Sequence, residues 1–253
     1  MKKLAFFSTP CNYIDDVLTV VKEEKYVEWN LNTIPFSIDM KRMTDVRDLI
    51  SKYGEVRYHL PYSFWDLGSS NITISNDSHS YYCRLFEMIN FLGSDVAVIH
   101  IGYSMDANAE MSLKRLENLA KESEKYNIKL CVENLVKGPS SDISFIKKCL
   151  DIDNVYFCLD IGHAEFLKKK GKNNIYEEIS SIKDKIIHAH VYYVEDSNMN
   201  HVPFNKKTIL NNKWIDLLCD TDCTWYTMEL DSKKDQGSQK RLLEDYLKHR
   251  KTA

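Results

Sequence analysis

Residues 96–133 read VAVIHIGYSMDANAEMSLKRLENLAKESEKYNIKLCVE. An apolar run, Val96–His100, ends on a histidine. A longer segment, Met111–Tyr126, places its apolar residues at helical spacing, and a second apolar run, Lys129–Glu133, ends on a glutamate. Runs of this length and density suit strands buried on both faces, and the segment between them suits an amphipathic helix laid across the sheet. The same unit recurs in both directions. Further apolar runs are Leu4–Ser8, Tyr26–Asn30, Val56–His59, Tyr156–Asp160, Ile186–His190 and Trp225–Glu229. Helix-like stretches are Asp15–Glu24, Thr44–Tyr53, Tyr81–Leu92, Ile143–Leu150, Ile175–Ile182, Ile209–Leu218 and Lys240–Arg250. Eight strand-helix pairs in about 250 residues is the arithmetic of a (β/α)8 TIM barrel, an α/β fold expected to span residues 1–253 as one domain. A doubly wound open sheet shares the alternation, but it would usually carry a glycine-rich turn after the first strand. Here that turn reads Ser8-Thr9-Pro10-Cys11-Asn12.

Composition narrows the function classes. The chain has 34 Lys+Arg and 37 Asp+Glu, giving a net charge of −3, which excludes a nucleic-acid binder that works by bulk positive charge. No apolar stretch is long enough to span a bilayer, and the start of the sequence has no secretory apolar core. The seven cysteines are scattered, with no C-x-x-C pair, as expected of reduced thiols in a cytoplasmic protein. Cys131 and Cys158 lie inside apolar runs and are expected to be buried as small hydrophobes.

Polar residues collect at strand ends. His59 ends the third expected strand, His100 the fourth, Glu133 the fifth and Asp160 the sixth, with His163 three residues on. His188 and His190 end the seventh, His201 lies in the loop after it, and Glu229 ends the eighth. In a barrel these ends share one rim, so residues scattered in sequence converge in space. Charged groups at the ends of apolar strands are costly to bury unless paired or metal-bound. A His/Asp/Glu set without cysteine suits Zn²⁺, Mn²⁺ or Fe²⁺. His188 and His190, two apart, lie on the same side of their strand and could both face the mouth.

These motifs resemble those of the xylose isomerase-like barrel superfamily, which includes endonuclease IV and many sugar epimerases. His59-Leu60-Pro61-Tyr62, followed by Leu67 and Ser69, resembles the His-x-Pro-Tyr…Leu-x-Ser segment of the endonuclease IV branch. Val98-Ile99-His100-Ile101-Gly102 resembles its His-x-Gly strand end. Val132-Glu133-Asn134 is similar to the Glu-Asn pair, and Cys158-Leu159-Asp160-Ile161-Gly162-His163-Ala164 to the Leu-Asp-x-x-His signature. His188-Ala189-His190 and Met228-Glu229 resemble the last two strand motifs. The resemblance implies that Glu133, Asp160, His190 and Glu229 hold a metal common to both branches. It also implies that His59 and His100 join Glu133 around a second. In the nuclease branch a third metal uses the histidine matched by His163 together with an Asp-x-His element. Here that element reads Met199-Asn200-His201, and Met199 is a poor ligand for a hard cation.

The resemblance therefore implies an enzyme with one or two divalent ions, Zn²⁺ or Mn²⁺, and two possible reactions. One is isomerisation or epimerisation of a small sugar or sugar phosphate. Glu133 and Glu229 would move the proton, with His163, His188, His201, Tyr62 and Trp65 around the substrate. Glu28 either contacts the sugar or is a solvated loop residue. The other is abasic-site DNA cleavage, favoured by His59, His100 and Tyr62 and disfavoured by the net charge and by Met199. A third reading, a barrel that binds without catalysis, fits poorly with so many retained ligand residues. Proton transfer is the preferred expectation.

Overall fold

Val-Ala-Val-Ile, the four residues Val96–Ile99, are buried along their whole length. Only a strand with neighbours on both edges and packing on both faces accommodates such a segment. A computed structural model of the chain, describing residues 1–7, 14–33, 40–62, 64–104, 106–198 and 200–250, places it as one of eight parallel strands closed into a barrel. In chain order the strands are β1 (Lys3–Phe7), β2 (Tyr26–Asn30), β3 (Glu55–His59), β4 (Val96–Ile99), β5 (Lys129–Glu133), β6 (Val155–Asp160), β7 (Ile186–His190), a short hairpin of β8 (Val194–Glu195) and β9 (His201–Val202), and β10 (Trp225–Met228). The barrel runs β1-β10-β7-β6-β5-β4-β3-β2, and β1 closes it by pairing with both β10 and β2. This is the (β/α)8 architecture expected from the alternation. The turn at Ser8–Asn12 and Met199 lie outside the described residues.

The helices are α1 (Ile14–Glu23), α2 (Met40–Tyr53), α3 (Ile72–Leu92), α4 (Ala109–Glu124), α5 (Ile143–Leu150), α6 (Ile161–Lys169), α7 (Ile175–Ser180), α8 (Lys206–Leu210), α9 (Lys213–Cys219) and α10 (Lys233–Arg250). The main apolar core is the sheath between strands and helices, including Trp29, Tyr58, Phe86, Ile99, Leu130, Phe157 and Trp214. A second, small cluster fills the inside of the barrel: Val96, Val98, Cys131 and Cys158. Both cysteines are buried there as small hydrophobes, as expected. Among the described residues no helix is long and apolar enough to cross a membrane.

Several helix boundaries differ from the expectation, each for a capping reason. α3 begins at Ile72, not Tyr81, because the Asn71 side chain accepts hydrogen bonds from Thr73 N and Ile74 N. The expected helix over Ile209–Leu218 is two helices, because α8 ends with Asn211 as its C-cap and Asn212 caps α9 by accepting from Trp214 N and Ile215 N. A helix also starts directly at Ile161, where none was expected. Asp160, the last residue of β6, is its N-cap.

Candidate metal centre

Strand register delivers the ligand residues to one level. His59 is in register with Asn30 and Val98, Glu133 with Cys158, and Asp160 with His190, which also pairs with Thr227. His100 and Glu229 stand one residue beyond β4 and β10. In this way four ligand atoms, one each from Glu133, Asp160, His190 and Glu229, come within 4.8 Å of one another, and a second group joins His59, Glu133 and His190. Glu133, Asp160 and His190 are buried, and Glu229 is 7% exposed at the mouth.

Within the four-residue group, Asp160 Oδ2, His190 Nδ1 and Glu229 Oε2 are buried atoms with no hydrogen-bond partner among the described residues. His190 Nδ1 stands 2.7 Å from Glu229 Oε2, 3.5 Å from Glu133 Oε2 and 3.7 Å from Asp160 Oδ2. These approaches lack hydrogen-bond alignment, so the atoms face a shared point rather than each other. Three carboxylates and one imidazole nitrogen form a hard N/O donor set, which fits a divalent cation. Ionisation follows the same geometry. Burial raises the Asp160 pKa, and the His163 charge only partly offsets it. For Glu133 and Glu229 burial also favours the acid form, but the adjacent histidines prevail and hold both carboxylates below their usual range.

Glu133 is the hub. Its Oε2 lies 3.2 Å from His59 Nε2 and 3.0 Å from His100 Nε2. His59 donates from Nδ1 to the Leu60 carbonyl, leaving Nε2 directed at the cluster. Tyr62 stacks on His100 with ring centroids 4.3 Å apart and meets His59 edge-on at 5.4 Å. Tyr103, which the sequence reading missed, lies 5.9 Å from both Tyr62 and His100.

His163 and His201 form an adjoining arrangement, with His163 Nδ1 3.4 Å from both Glu133 Oε1 and Asp160 Oδ2. His163 Nδ1 donates to the Asn134 carbonyl at 2.8 Å, and its Nε2 lies 3.3 Å from Glu195 Oε1. His201 Nε2 reaches the same oxygen at 3.1 Å, and Tyr192 Oη donates to it at 2.9 Å. One carboxylate therefore bridges the two histidines. Glu195 was not anticipated. It sits in a two-residue strand with no pattern of its own, and only the later His201 hinted at a polar hairpin.

Three expectations are corrected. His188 does not open on the mouth: its Nδ1 accepts from Arg57 Nη1 at 3.3 Å and its Nε2 donates to Glu28 Oε2 at 2.7 Å. The ring is fully buried, and burial pulls its pKa down to about 4, so it packs inside the barrel as a neutral group. Trp65 is not brought to the cluster. It packs on Tyr81 of α3 at 4.4 Å, because the loop after β3 turns it toward the helix layer. Glu28 is not in a loop. It is an inward-facing residue of β2, fully buried, accepting from His188, from His190 Nε2 at 3.1 Å and from Thr227 Oγ1. Burial opposes its charge, and His188 and His190 overcome that to hold its pKa well below the usual carboxylate value. The signal available in the sequence was period two. Glu28 lies between Val27 and Trp29, which face the helix layer.

The sequence profile of the xylose isomerase-like TIM barrel family matches residues 24–251. The chain belongs to this family. An uncharacterised protein of Methanocaldococcus jannaschii is 31% identical to this xylose isomerase-like barrel over 196 residues, 76% of the chain and 80% of that protein. Among solved structures, a D-tagatose 3-epimerase-like protein superposes with a TM-score of 0.81 at 20% identity, with both chains covered in full. Endonuclease IV from Thermus thermophilus superposes at 0.69 and 12% identity, covering 98% of this chain and 99% of that one. At these identities the two structures share the barrel with this member of the xylose isomerase-like family. The reaction has to be argued from the site.

Proposed function

We propose that the protein is a divalent-metal-dependent isomerase or epimerase of a small sugar or sugar phosphate. Glu133, Asp160, His190 and Glu229 would hold the ion, Zn²⁺ or Mn²⁺. A bound ion would supply Lewis acidity, making the C–H next to a substrate carbonyl acidic enough to lose its proton. Glu229, the most open of the four at the mouth, is placed to take that proton. Glu133, three strands away around the barrel, would approach the substrate from another side and return a proton there. His163, held between the Asn134 carbonyl and Glu195, presents its ring edge to the same space and would orient substrate hydroxyls. Tyr62 and Tyr103 would wall the pocket and limit water. His201, bound to Glu195, supports His163 from behind.

The observation that carries this reading is the Glu195 bridge. His163 and His201 match the two histidines that serve the third metal in the nuclease pattern; here both meet Glu195 Oε1, but among the described residues the three do not form a group whose ligand atoms converge, as His59, Glu133 and His190 do. Cleavage of a phosphodiester relies on cations flanking the phosphate, whereas proton transfer next to a carbonyl can run on one. The second reading, abasic-site cleavage, draws on His59 and His100, which both meet Glu133 Oε2 as ligands of a second ion would.

The test incubates protein loaded with Mn²⁺ or Zn²⁺ in D₂O with a panel of ketoses and sugar phosphates. An abasic-site oligonucleotide is incubated in parallel. Solvent deuterium is expected at a carbon adjacent to the carbonyl, and Glu229→Gln should abolish its incorporation. Metal-dependent strand incision with no exchange into any sugar would replace this reading with the nuclease one.

A further inference from the structure

Below the ligand cluster, a chain of polar side chains crosses the interior of the barrel. It starts at Arg57 on β3, whose Nη1 donates to the Ile187 carbonyl at 2.9 Å and faces His188 Nδ1 at 3.3 Å. A guanidinium has only donors, so His188 Nδ1 must supply a lone pair and its proton must sit on Nε2. That N–H points at Glu28 Oε2, 2.7 Å away. Thr227 Oγ1 accepts from Trp225 Nε1 at 3.1 Å and passes its own proton to Glu28 Oε2. The other Glu28 oxygen, Oε1, faces His190 Nε2 at 3.1 Å. A carboxylate only accepts, so Nε2 carries a proton, and Nδ1, which faces Asp160, Glu133 and Glu229, is the atom a cation would take. Every link is directional, and each is fixed by the one before it.

We infer that Glu28 is a positioning residue, which selects the tautomer and ring orientation of His190 and so sets the metal affinity of the centre, and that Arg57, His188 and Thr227 hold Glu28 for that task. The inference rests on the metal-centre reading above. Its logic is general: a ligating histidine is oriented by what its second nitrogen touches, and losing that partner typically costs tenfold to a hundredfold in metal affinity. It also explains an otherwise expensive feature. Glu28 is a fully buried acidic group in the middle of a strand, and a purely structural filler there would more cheaply be apolar.

The experiment uses the full chain and Zn²⁺ as the probe, measuring affinity by competition with a chromophoric chelator. The melting temperature of the metal-free protein is measured alongside. Wild type, Glu28→Gln, Glu28→Ala and Thr227→Val are compared. Glu28→Gln keeps an acceptor for His190 Nε2–H and should lose less than tenfold. Glu28→Ala should lose about tenfold to a hundredfold. Thr227→Val, which removes one donor to Glu28 and little volume, should fall near the glutamine variant and provides a folded test if the alanine variant does not fold. Side-chain spectra of the Zn²⁺-loaded protein should show a hydrogen-bonded, slowly exchanging His190 Nε2–H in wild type and its rapid exchange with water in Glu28→Ala. If the variants bind Zn²⁺ as tightly as wild type while melting lower, Glu28 is structural and the inference falls alone. If wild type itself binds no Zn²⁺, the metal-centre reading falls and takes this inference with it.

Discussion

Asp160 carries two tasks on its two oxygens. Oδ1 accepts from His163 N at 2.7 Å and caps α6, and Oδ2 faces the ligand cluster without a partner. Substitutions can separate them. Asp160→Asn keeps an oxygen for the cap and removes a buried charge whose pKa is already raised. The metal-free variant should therefore melt no lower than wild type, while elemental analysis finds its metal lost. Asp160→Ala should lose both, with the cap worth about 1 kcal/mol. A second residue-scale expectation concerns Glu195 and His201. Burial works against both charges, yet the two histidines draw Glu195 down to about 2, and Glu195 pushes His201 up to about 9. The Glu195 contribution is present above its ordinary value of 4.5 and lost as the pH falls through about 2. The His201 contribution is complete below 6.5 and lost as the pH rises through about 9. Denaturant titrations of metal-free protein should show this alkaline decline, and His201→Gln should remove it. These residues also mark what a sequence can disclose. The strand-end residues that gather at the rim were legible because each closes an apolar run. Glu28 and Arg57 were not, because inside a barrel a charge is explained only by its partners. The partner of Glu28, His188, lies 160 positions away in the chain.

At the scale of elements, the junction of β6 and α6 is the tightest. A side chain on Gly162 would place Cβ 2.0 Å from Cε2 of Tyr192, the residue whose hydroxyl holds Glu195. Glycine is required there so that the ring can lie on the first turn of α6. Gly162→Ala should force Tyr192 aside, destabilise the protein by about 1–3 kcal/mol, and loosen Glu195 from His163. Thermal melting gives the first effect and side-chain NMR of His163 the second. The alternation of strands and helices was legible from period and length alone. The start of α6 was hidden because Asp160 ends one element and caps the next, with no loop residues between them. The break between α8 and α9 was hidden because Asn212 interrupts an apolar periodicity that continues on both sides of it.

For the molecule as a whole, a cation bound only by the native state must raise stability by mass action. At a hundredfold excess over its dissociation constant the gain is about 2.7 kcal/mol, about 5–10 °C in melting temperature for a chain of this size. A melt of wild type with and without Zn²⁺ should show the shift, and Asp160→Asn should not. A second whole-molecule consequence follows from the order of strands around the barrel. The seam joins the first strand to the last, Lys3 opposite Trp225, so closure waits on the most distant pairing in the chain. Three of the four proposed ligands do not wait. Glu133, Asp160 and His190 end β5, β6 and β7, which are neighbours in space and successive in sequence. A refolding chain is therefore expected to assemble a three-pronged claw early, with Glu229 as the fourth prong once β10 docks beside β7. An ion gripped at the earlier stage would serve as a template, drawing the last strand into place and making the cofactor a participant in the protein's own construction.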